Sequence, residues 1–264
     1  MVAVFAAVLA LAAPPPDAPL PQGPAPFARA LVTTTQSLNT EIDAWRTAGT
    51  TAGAPPQAVT LYALYQQRLL LRLTRDRPLA RAVLSRLPAT LAGRTRDVVI
   101  AKRELARITP RSPLRRLRTG APLPPGQLRA YYRAAERRFG VAWNVLAAVN
   151  FVETAFNRLR NSSATGAQGP MQFMPSTWRR YGLGGDIHDP HDAILAAANY
   201  LHASGAPRDY ARALHAYNPS WAYVDAVSRY ARHMKRDPRA FYAYYSWQVF
   251  VRTPSGYRRI TGPR

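Results

Sequence analysis

The sequence has no cysteine and is poor in lysine and glutamate. Without cysteine it has no disulfide framework, no thiolate nucleophile and no cysteine metal site. Lysine occurs only at Lys102 and Lys235, so arginine supplies nearly all of the 36 basic residues, which face 14 acidic ones for a net charge of +22. Such a chain is attracted to polyanions, whether nucleic acid, anionic lipid or an acidic wall polymer, and charge alone does not select among them.

Long apolar runs are rare as well, and the one that stands out is VAVFAAVLALAA at residues 2–13. A run of about 12 residues is short for a bilayer span and fits the apolar region of a signal peptide. Residues 10–12 form an Ala-x-Ala cleavage site, although a positive segment before the run is missing. We therefore predict that residues 1–13 are a signal peptide or an apolar N-terminal segment. The protein would be secreted to the cell wall or periplasm, or retained at the membrane by the uncleaved segment.

Proline-rich stretches divide the rest of the chain. The predicted divisions are a linker at 14–26, a helical appendage at 27–110, a Pro/Arg-rich connector at 111–125, a helical domain at 126–250 and a tail at 251–264. The apolar spacing predicts a mostly α fold, with a helical hairpin or bundle in the appendage and a short β-hairpin in the tail. The appendage shows no chemistry and is interpreted as a scaffold.

One of the four glutamates, Glu153, lies at the end of an apolar helix. Of its neighbours on the same helical face, Leu146, Val149 and Phe156 are apolar, and Asn150 is polar. Desolvation raises the pKa of a carboxyl group, and a carboxyl that is protonated near neutral pH can act as a general acid. The alternative is a helix-end glutamate that turns out to water.

The segment after Glu153, NSSATGAQGPMQ at residues 161–172, is rich in hydroxyls, amides and glycines. Glycine allows close approach of a ligand to the backbone, and neutral polar groups suit a polyhydroxyl substrate. Sugar rings also need apolar platforms, and we expect these from Phe173, Met174, Trp178 and Tyr181. A desolvated acid beside a neutral polar cleft predicts cleavage of a glycosidic bond.

The motifs E-T-A-F-N, S-A-T-G-A-Q-G-P-M-Q-F-M-P-S-T-W and A-L-H-A-Y-N-P-S-W-A-Y-V occur in this order. They resemble the lytic transglycosylase (SLT) family of peptidoglycan-cleaving enzymes. The resemblance covers residues 126–236, which is under half of the chain. The loop after Glu153 is one residue longer than usual, Thr154 replaces a serine, and Pro170 replaces a leucine.

The resemblance implies a lysozyme-like helical fold and a lyase that needs no cofactor. Glu153 would protonate the bond between N-acetylmuramic acid and N-acetylglucosamine, and would then act as a base to form a 1,6-anhydro end. The implied substrate-binding residues are Ser163, Met171, Gln172, Tyr217 and Asn218. The implied substrate is the peptidoglycan glycan strand, and the Arg-rich faces would attract anionic wall polymers.

A muramidase-type hydrolase is the nearest alternative, and it would need a second carboxylate about 5–9 Å from Glu153. Only Asp186, Asp189 and Asp192 lie in a suitable loop, and Asp189 is better interpreted as a helix N-cap. We expect no metal site, because the histidines of DIHDPHD at 186–192 lack the helical spacing of zinc ligands.

A basic binding protein without catalytic activity is the other alternative. The arginines near AFYAYYSW at 240–247 would suit nucleic acid, since aromatic side chains stack on bases. The secretion-like N-terminus speaks against nucleic acid, which is not expected as a partner. A wall-binding scaffold with a dead site would lack the acid, whereas Glu153 is present. No specific protein partner is predicted.

Overall fold

The computed structural model describes residues 12–109, 117–253 and 256–263, and in this part it confirms the predicted mostly α fold. The helices are α1 (Pro24–Thr47), α2 (Gln57–Arg75), α3 (Arg77–Leu84), α4 (Ala89–Ile108), α5 (Pro125–Phe139), α6 (Trp143–Thr154), α7 (Pro175–Tyr181), α8 (Pro190–Ala203), α9 (Tyr210–Tyr217), α10 (Trp221–Arg236) and α11 (Arg239–Ser246). Strands β1 (Phe250–Thr253) and β2 (Gly256–Arg259) pair antiparallel in the tail, as predicted.

The N-terminal segment 1–13 and the connector 111–125 lie partly outside the described residues. Residues 16–19 lie against α2, where Arg68 donates hydrogen bonds to the carbonyls of Pro16 (3.0 Å) and Ala18 (2.7 Å), and the hydroxyl of Tyr65 donates to the carbonyl of Pro19 (3.1 Å). None of the helices in the described ranges combines the length and the apolar character that a bilayer span requires.

Local capping signals explain where several helices begin and end. Asp76 ends α2 and starts the separate helix α3, because its carboxylate accepts a hydrogen bond from the amide of Leu79 at 3.0 Å. Gly140 ends α5 in the left-handed conformation, with φ at 72°. Asp189 caps α8 by accepting from the amides of His191 and Asp192, which confirms its predicted role.

The aromatic stretch AFYAYYSW forms most of α11 and belongs to the core. Phe241, Tyr245 and Trp247 are almost completely buried, and Phe241 makes edge-to-face contacts with Tyr132 and with other rings. These side chains are therefore not available to stack on bases. Packing in the core therefore explains the aromatic enrichment of this stretch.

The N-terminal helices pack directly on the rest of the chain. α4 lies along α10, and α2 contacts α11, so that one continuous apolar core runs through both parts. At the α4–α10 contact, Asp97 forms ion pairs with Arg229 and Arg232 and bonds to Nε2 of His233 at 3.1 Å. The division into appendage and catalytic domain remains a prediction, but the two parts share an interface.

Asp97→Ala should destabilise the protein by about 1–3 kcal/mol at pH 7, because two arginines and the His233 ring at the interface would lose their shared acceptor. Burial raises the pKa of Asp97, but the His233 hydrogen bond and the arginine charges together hold it below its ordinary value of 3.8. The contribution is therefore present above that value and is lost as the pH falls through the lowered pKa.

Chemical unfolding of the wild type and of Asp97→Ala at pH 7 and pH 2 measures this effect. Asp17→Ala is the control, because Asp17 is 82% exposed and its pair with Arg259 is long, at 3.5 Å. It should change the free energy of unfolding by less than about 0.5 kcal/mol. An equal loss for Asp97→Ala at both pH values would mean that packing, and not charge, explains the effect.

Candidate active site

Glu153 lies one residue before the end of α6 and bonds to a tyrosine of α10. The hydroxyl of Tyr223 donates a hydrogen bond to Oε1 of Glu153 at 2.7 Å. Burial raises the pKa of Glu153 from its ordinary 4.5 to about 7, and the Tyr223 hydrogen bond opposes part of this rise. A carboxyl in this state is half protonated near neutral pH, as a general acid requires.

Sequence analysis did not assign Tyr223 to the site, although the residue lies within the motif A-L-H-A-Y-N-P-S-W-A-Y-V. Ser220 caps α10 by accepting a hydrogen bond from the amide of Tyr223, so the tyrosine lies in the first turn of this helix. The side chain is only 2% exposed. A tyrosine on the apolar face of an amphipathic helix was the available signal.

The backbone turns sharply directly after Glu153. Ala155, Phe156 and Asn157 have positive φ angles of 51°, 61° and 65°, a conformation that costs free energy in residues other than glycine. Thr154 stabilises the turn, because its hydroxyl accepts from the amide of Asn157 (2.9 Å) and donates to the carbonyl of Pro170 (2.7 Å). The turn directs Phe156 into the core, so the expectation that Phe156 shares a helical face with Glu153 is wrong.

Residues 168–173 of the segment that follows form a tight hairpin. Gln168 and Phe173 exchange two backbone hydrogen bonds of 2.8 Å. Gly169 in this hairpin has a φ of 73°, and a Cβ at its position would collide with the carbonyl oxygen of Ile187. Only glycine therefore allows the hairpin to contact the loop before α8.

Two of the predicted binding residues hold this segment together. The Oγ of Ser163 accepts a hydrogen bond from the amide of Ala167 and contacts the hydroxyl of Thr165, both at 2.9 Å. The side-chain amide of Gln172 donates to the carbonyl of Gly169 at 3.0 Å. Ser163 and Gln172 are both half-buried, and these contacts are all within the segment.

Tyr217, at the end of α9, links the hairpin to the surroundings of Glu153. Its hydroxyl donates to the backbone carbonyl of Met171 at 2.7 Å. Burial and the nearby charge of Glu153 raise the pKa of Tyr217 well above 10. Met171 is fully buried, so its side chain packs in the core and offers no surface to a ligand. Asn218 follows directly as the C-cap of α9 and is half-buried.

Tyr217→Phe should lower the free energy of unfolding by about 1–2 kcal/mol, because the Met171 carbonyl would lose its partner. The loss should be local, so amide hydrogen exchange should accelerate most in residues 168–173. Tyr200→Phe is the matched control, since the Tyr200 hydroxyl donates at 2.7 Å to the carbonyl of Ala216, outside the hairpin. Unchanged exchange at 168–173 in Tyr217→Phe would contradict the anchoring role.

The predicted apolar platforms are only partly available. Phe173 is 2% exposed and packs against Trp178 and Tyr217, so the expectation that it offers a ring face to a sugar is wrong. Trp178 and Tyr181 are half-buried, and Met174 is 39% exposed. Trp178, Tyr181 and Met174 therefore keep accessible surface near the hairpin.

Glu153 lines a cavity of about 290 Å³, and part of its wall comes from outside the predicted catalytic domain. Lys102 and Leu105 of α4 line it, as do Val251 and Tyr257 of the C-terminal hairpin. Sequence analysis assigned no chemistry to α4, because its apolar spacing is that of any packed helix. The position of this helix beside Glu153 depends on the α4–α10 contact, which local patterns do not encode.

The three aspartates considered as second carboxylates form a separate hydrogen-bonded group near the start of α8. Ligand atoms of Asp189, His191 and Asp192 lie within 4.8 Å of one another. Their carboxylates already accept from backbone amides: Asp189 caps α8, and Oδ2 of Asp192 accepts from the amide of Asp186 at 3.0 Å. Structural bonding therefore accounts for this cluster without a ligand.

Comparison with known proteins agrees with this geometry. The family model described as Transglycosylase SLT domain matches residues 130–239. The chain is similar to the membrane-bound lytic murein transglycosylase F of Thiobacillus denitrificans, with 30% identity over 122 residues, which are 43% of this chain and 26% of that protein. The match thus spans about a quarter of the relative's length. No solved structure matches the chain. Residues 130–239 thus match the transglycosylase SLT domain model, in agreement with the resemblance of the motifs around Glu153 and Tyr217.

Proposed function

We propose that the protein is a peptidoglycan lytic transglycosylase in which Glu153 is the single acid and base. The observation that carries this proposal is the state of Glu153: a carboxyl desolvated beside a cavity, bonded to Tyr223, with its pKa raised to about 7. The SLT domain and the similarity to a lytic murein transglycosylase support the same reaction class.

In the proposed reaction, the Glu153 proton moves to the oxygen that joins C1 of N-acetylmuramic acid to N-acetylglucosamine, and the C1–O bond breaks. The acetamido group of the muramic ring shields the positive charge that develops at C1. The Glu153 carboxylate then accepts the proton of the C6 hydroxyl, whose oxygen bonds to C1. Glu153 ends protonated, and no water is consumed.

The surroundings of Glu153 suit these two roles. The Tyr223 hydroxyl stabilises the carboxylate that exists between the two proton transfers. Tyr217 fixes the hairpin that carries Gln172, and Ser163 shapes the segment before it. We propose that Gln172 and Asn218 contact the sugar while Ser163 and Tyr217 position the surrounding segment. Met171 would contribute through its backbone.

Secretion, wall localisation and a signal peptide belong to the same proposal, since the substrate lies outside the cytoplasmic membrane. The net charge of +22 supports attraction to anionic wall polymers.

The mass of the released muropeptides tests the reaction. Purified peptidoglycan digested by the wild type should give 1,6-anhydro ends, which are lighter by one water than reducing ends, and Glu153→Gln should give none. Reducing ends that disappear in Glu153→Gln would establish the hydrolase instead and would require a second carboxylate. A folded wild type that binds peptidoglycan and releases no product would establish the binding protein.

A further inference from the structure

A second and larger cavity adjoins the one at Glu153. Its volume is about 760 Å³, and it lies between the end of α2, the start of α3, the second half of α4 and the C-terminal hairpin. The two cavities share Lys102, Ala106, Arg252 and Tyr257 in their linings. A ligand bound at Glu153 can therefore continue into the second cavity without leaving the protein surface.

The second cavity is strongly basic, and we refer to it as the basic groove. Seven cations line it against one acid, Asp76; the cations are Arg72, Arg75, Arg77, Lys102, Arg103, Arg107 and Arg252. Arg72 pairs with Asp76 at 3.1 Å and Arg107 pairs with Glu104 at 2.9 Å. Within the described ranges, the other five cations have no carboxylate partner.

Two of these charges are held in place by backbone carbonyls. Arg103 donates to the carbonyls of Leu73 and Thr74 at 2.9 Å, and Arg252 donates to the carbonyl of Ala106 at 2.6 Å. Burial lowers the pKa of Arg103, and the nearby charge of Arg77 lowers it further. Like charges held this close repel one another, and a bound anion relieves the repulsion.

Lys102 lies where the two cavities meet. Its Nζ is 4.8 Å from the centre of the Trp247 ring, so the ammonium contacts an aromatic face while its stem is enclosed by the protein. Burial lowers its pKa to about 8, which leaves it mainly charged at neutral pH. Because the chain uses arginine at nearly every other basic position, a compact ammonium at this junction is distinctive.

We infer that the basic groove binds carboxylates of the peptide carried by the muramic acid residue of the strand held at Glu153. This inference rests on the proposed function. The peptide branches from the muramic ring and carries free carboxylates, and an extended chain gains about 3.3–3.6 Å per residue, so a few residues reach from one cavity into the next. A separate polyanion would not require the groove to open into the Glu153 cavity.

The test compares two substrates, peptide-bearing glycan strands and strands whose peptides have been removed by an amidase. The groove variant is Arg75→Gln/Arg77→Gln, which removes two charges that line the basic groove and not the Glu153 cavity, and keeps most of each side-chain stem. The control is Arg29→Gln/Arg208→Gln, a pair of exposed arginines away from the groove, which removes the same charge as the double variant.

We expect Arg75→Gln/Arg77→Gln to lower the ratio of kcat/KM for peptide-bearing over stripped strands at least tenfold, through KM, and the control to leave the ratio unchanged. Equal losses on both substrates, or no preference of the wild type for peptide-bearing strands, would overturn the inference. If Arg75→Gln/Arg77→Gln bound polyphosphate more weakly but cleaved peptide-bearing strands as efficiently as the wild type, the groove would be assigned to another polymer.

Calorimetric binding to Glu153→Gln separates the inference from the proposed function, because this measurement needs no cleavage. Tighter binding of peptide-bearing than of stripped strands by Glu153→Gln, abolished by adding Arg75→Gln/Arg77→Gln, supports the groove even where the wild type cleaves neither strand. Equal affinities of Glu153→Gln for both strands would overturn the inference about the groove even where the wild type makes anhydro ends.

Discussion

Glu153→Gln should lower the rate of peptidoglycan cleavage at least about a thousandfold and should also stabilise the protein at alkaline pH. The rate falls because glutamine can neither give a proton to the leaving oxygen nor take one from the C6 hydroxyl. Proton transfer by a positioned group contributes about 10²–10⁴ in rate, and Glu153 is proposed to act in both steps. Release of soluble muropeptides, followed by mass, measures the loss.

The gain in stability follows from the raised pKa of Glu153. Its pKa is about 7 in the folded protein and 4.5 ordinarily, so the folded state favours the protonated form. Its contribution to stability is fully present below pH 4.5 and is lost as the pH rises through 7. The difference amounts to about 3 kcal/mol at pH 8, at 1.36 kcal/mol per pKa unit. Glutamine, which stays neutral, avoids this loss.

Unfolding of the wild type and of Glu153→Gln at pH 4 and pH 8 checks the second effect. The two proteins should differ little at pH 4, and the variant should be more stable at pH 8. Glu136→Gln is the control, since Glu136 forms a surface pair with Arg133 at 2.6 Å and should affect neither activity nor the pH dependence. Equal stabilities at pH 8 would contradict the desolvation of Glu153.

Tyr223→Phe should slow cleavage at pH 7 about tenfold or more and move the alkaline limb of the pH–rate profile upward by about one pH unit. The hydroxyl of Tyr223 stabilises the Glu153 carboxylate, so its removal raises the pKa of Glu153 further. The acid would then stay protonated to higher pH. The acid step would slow, because a carboxyl with a higher pKa gives up its proton less readily and the carboxylate it leaves has lost its hydrogen-bond donor.

The pH–rate profiles of the wild type, Tyr223→Phe and Tyr242→Phe provide the measurement. Tyr242 is also a buried tyrosine, and its hydroxyl bonds to Arg129 at 3.3 Å, away from Glu153. Its removal should leave the alkaline limb in place. A Tyr223→Phe profile that falls uniformly, without movement of the limb, would mean that the hydroxyl acts on packing rather than on the carboxyl.

Features with local causes could be predicted from the sequence. Asp189 and Pro190 mark the start of α8, and Gly140 marks the end of α5, because capping depends on a few adjacent residues. The raised pKa of Glu153 agrees with the expected direction, although Tyr223 and the cavity walls, rather than Phe156, form its surroundings.

Features that depend on distant contacts could not be predicted. Tyr223 and Glu153 are 70 residues apart and meet only because α10 packs on α6. The left-handed turn at 155–157 contains no glycine, and it is stable because Thr154 bonds to the carbonyl of Pro170. The contribution of α4 to the cavity depends on tertiary packing alone.

The contact between α2 and the chain near β1 affects the order in which the protein can fold during synthesis. The side chain of Gln67, buried on α2, donates to the carbonyl of Gln248 at 2.7 Å and accepts from its amide at 2.8 Å. These partners are 181 residues apart, a distance that a ribosome covers in roughly 10–40 s at about 5–20 residues per second. Until then α2 lacks these two hydrogen bonds, so the N-terminal helices reach their final packing only once the chain up to Gln248 is available.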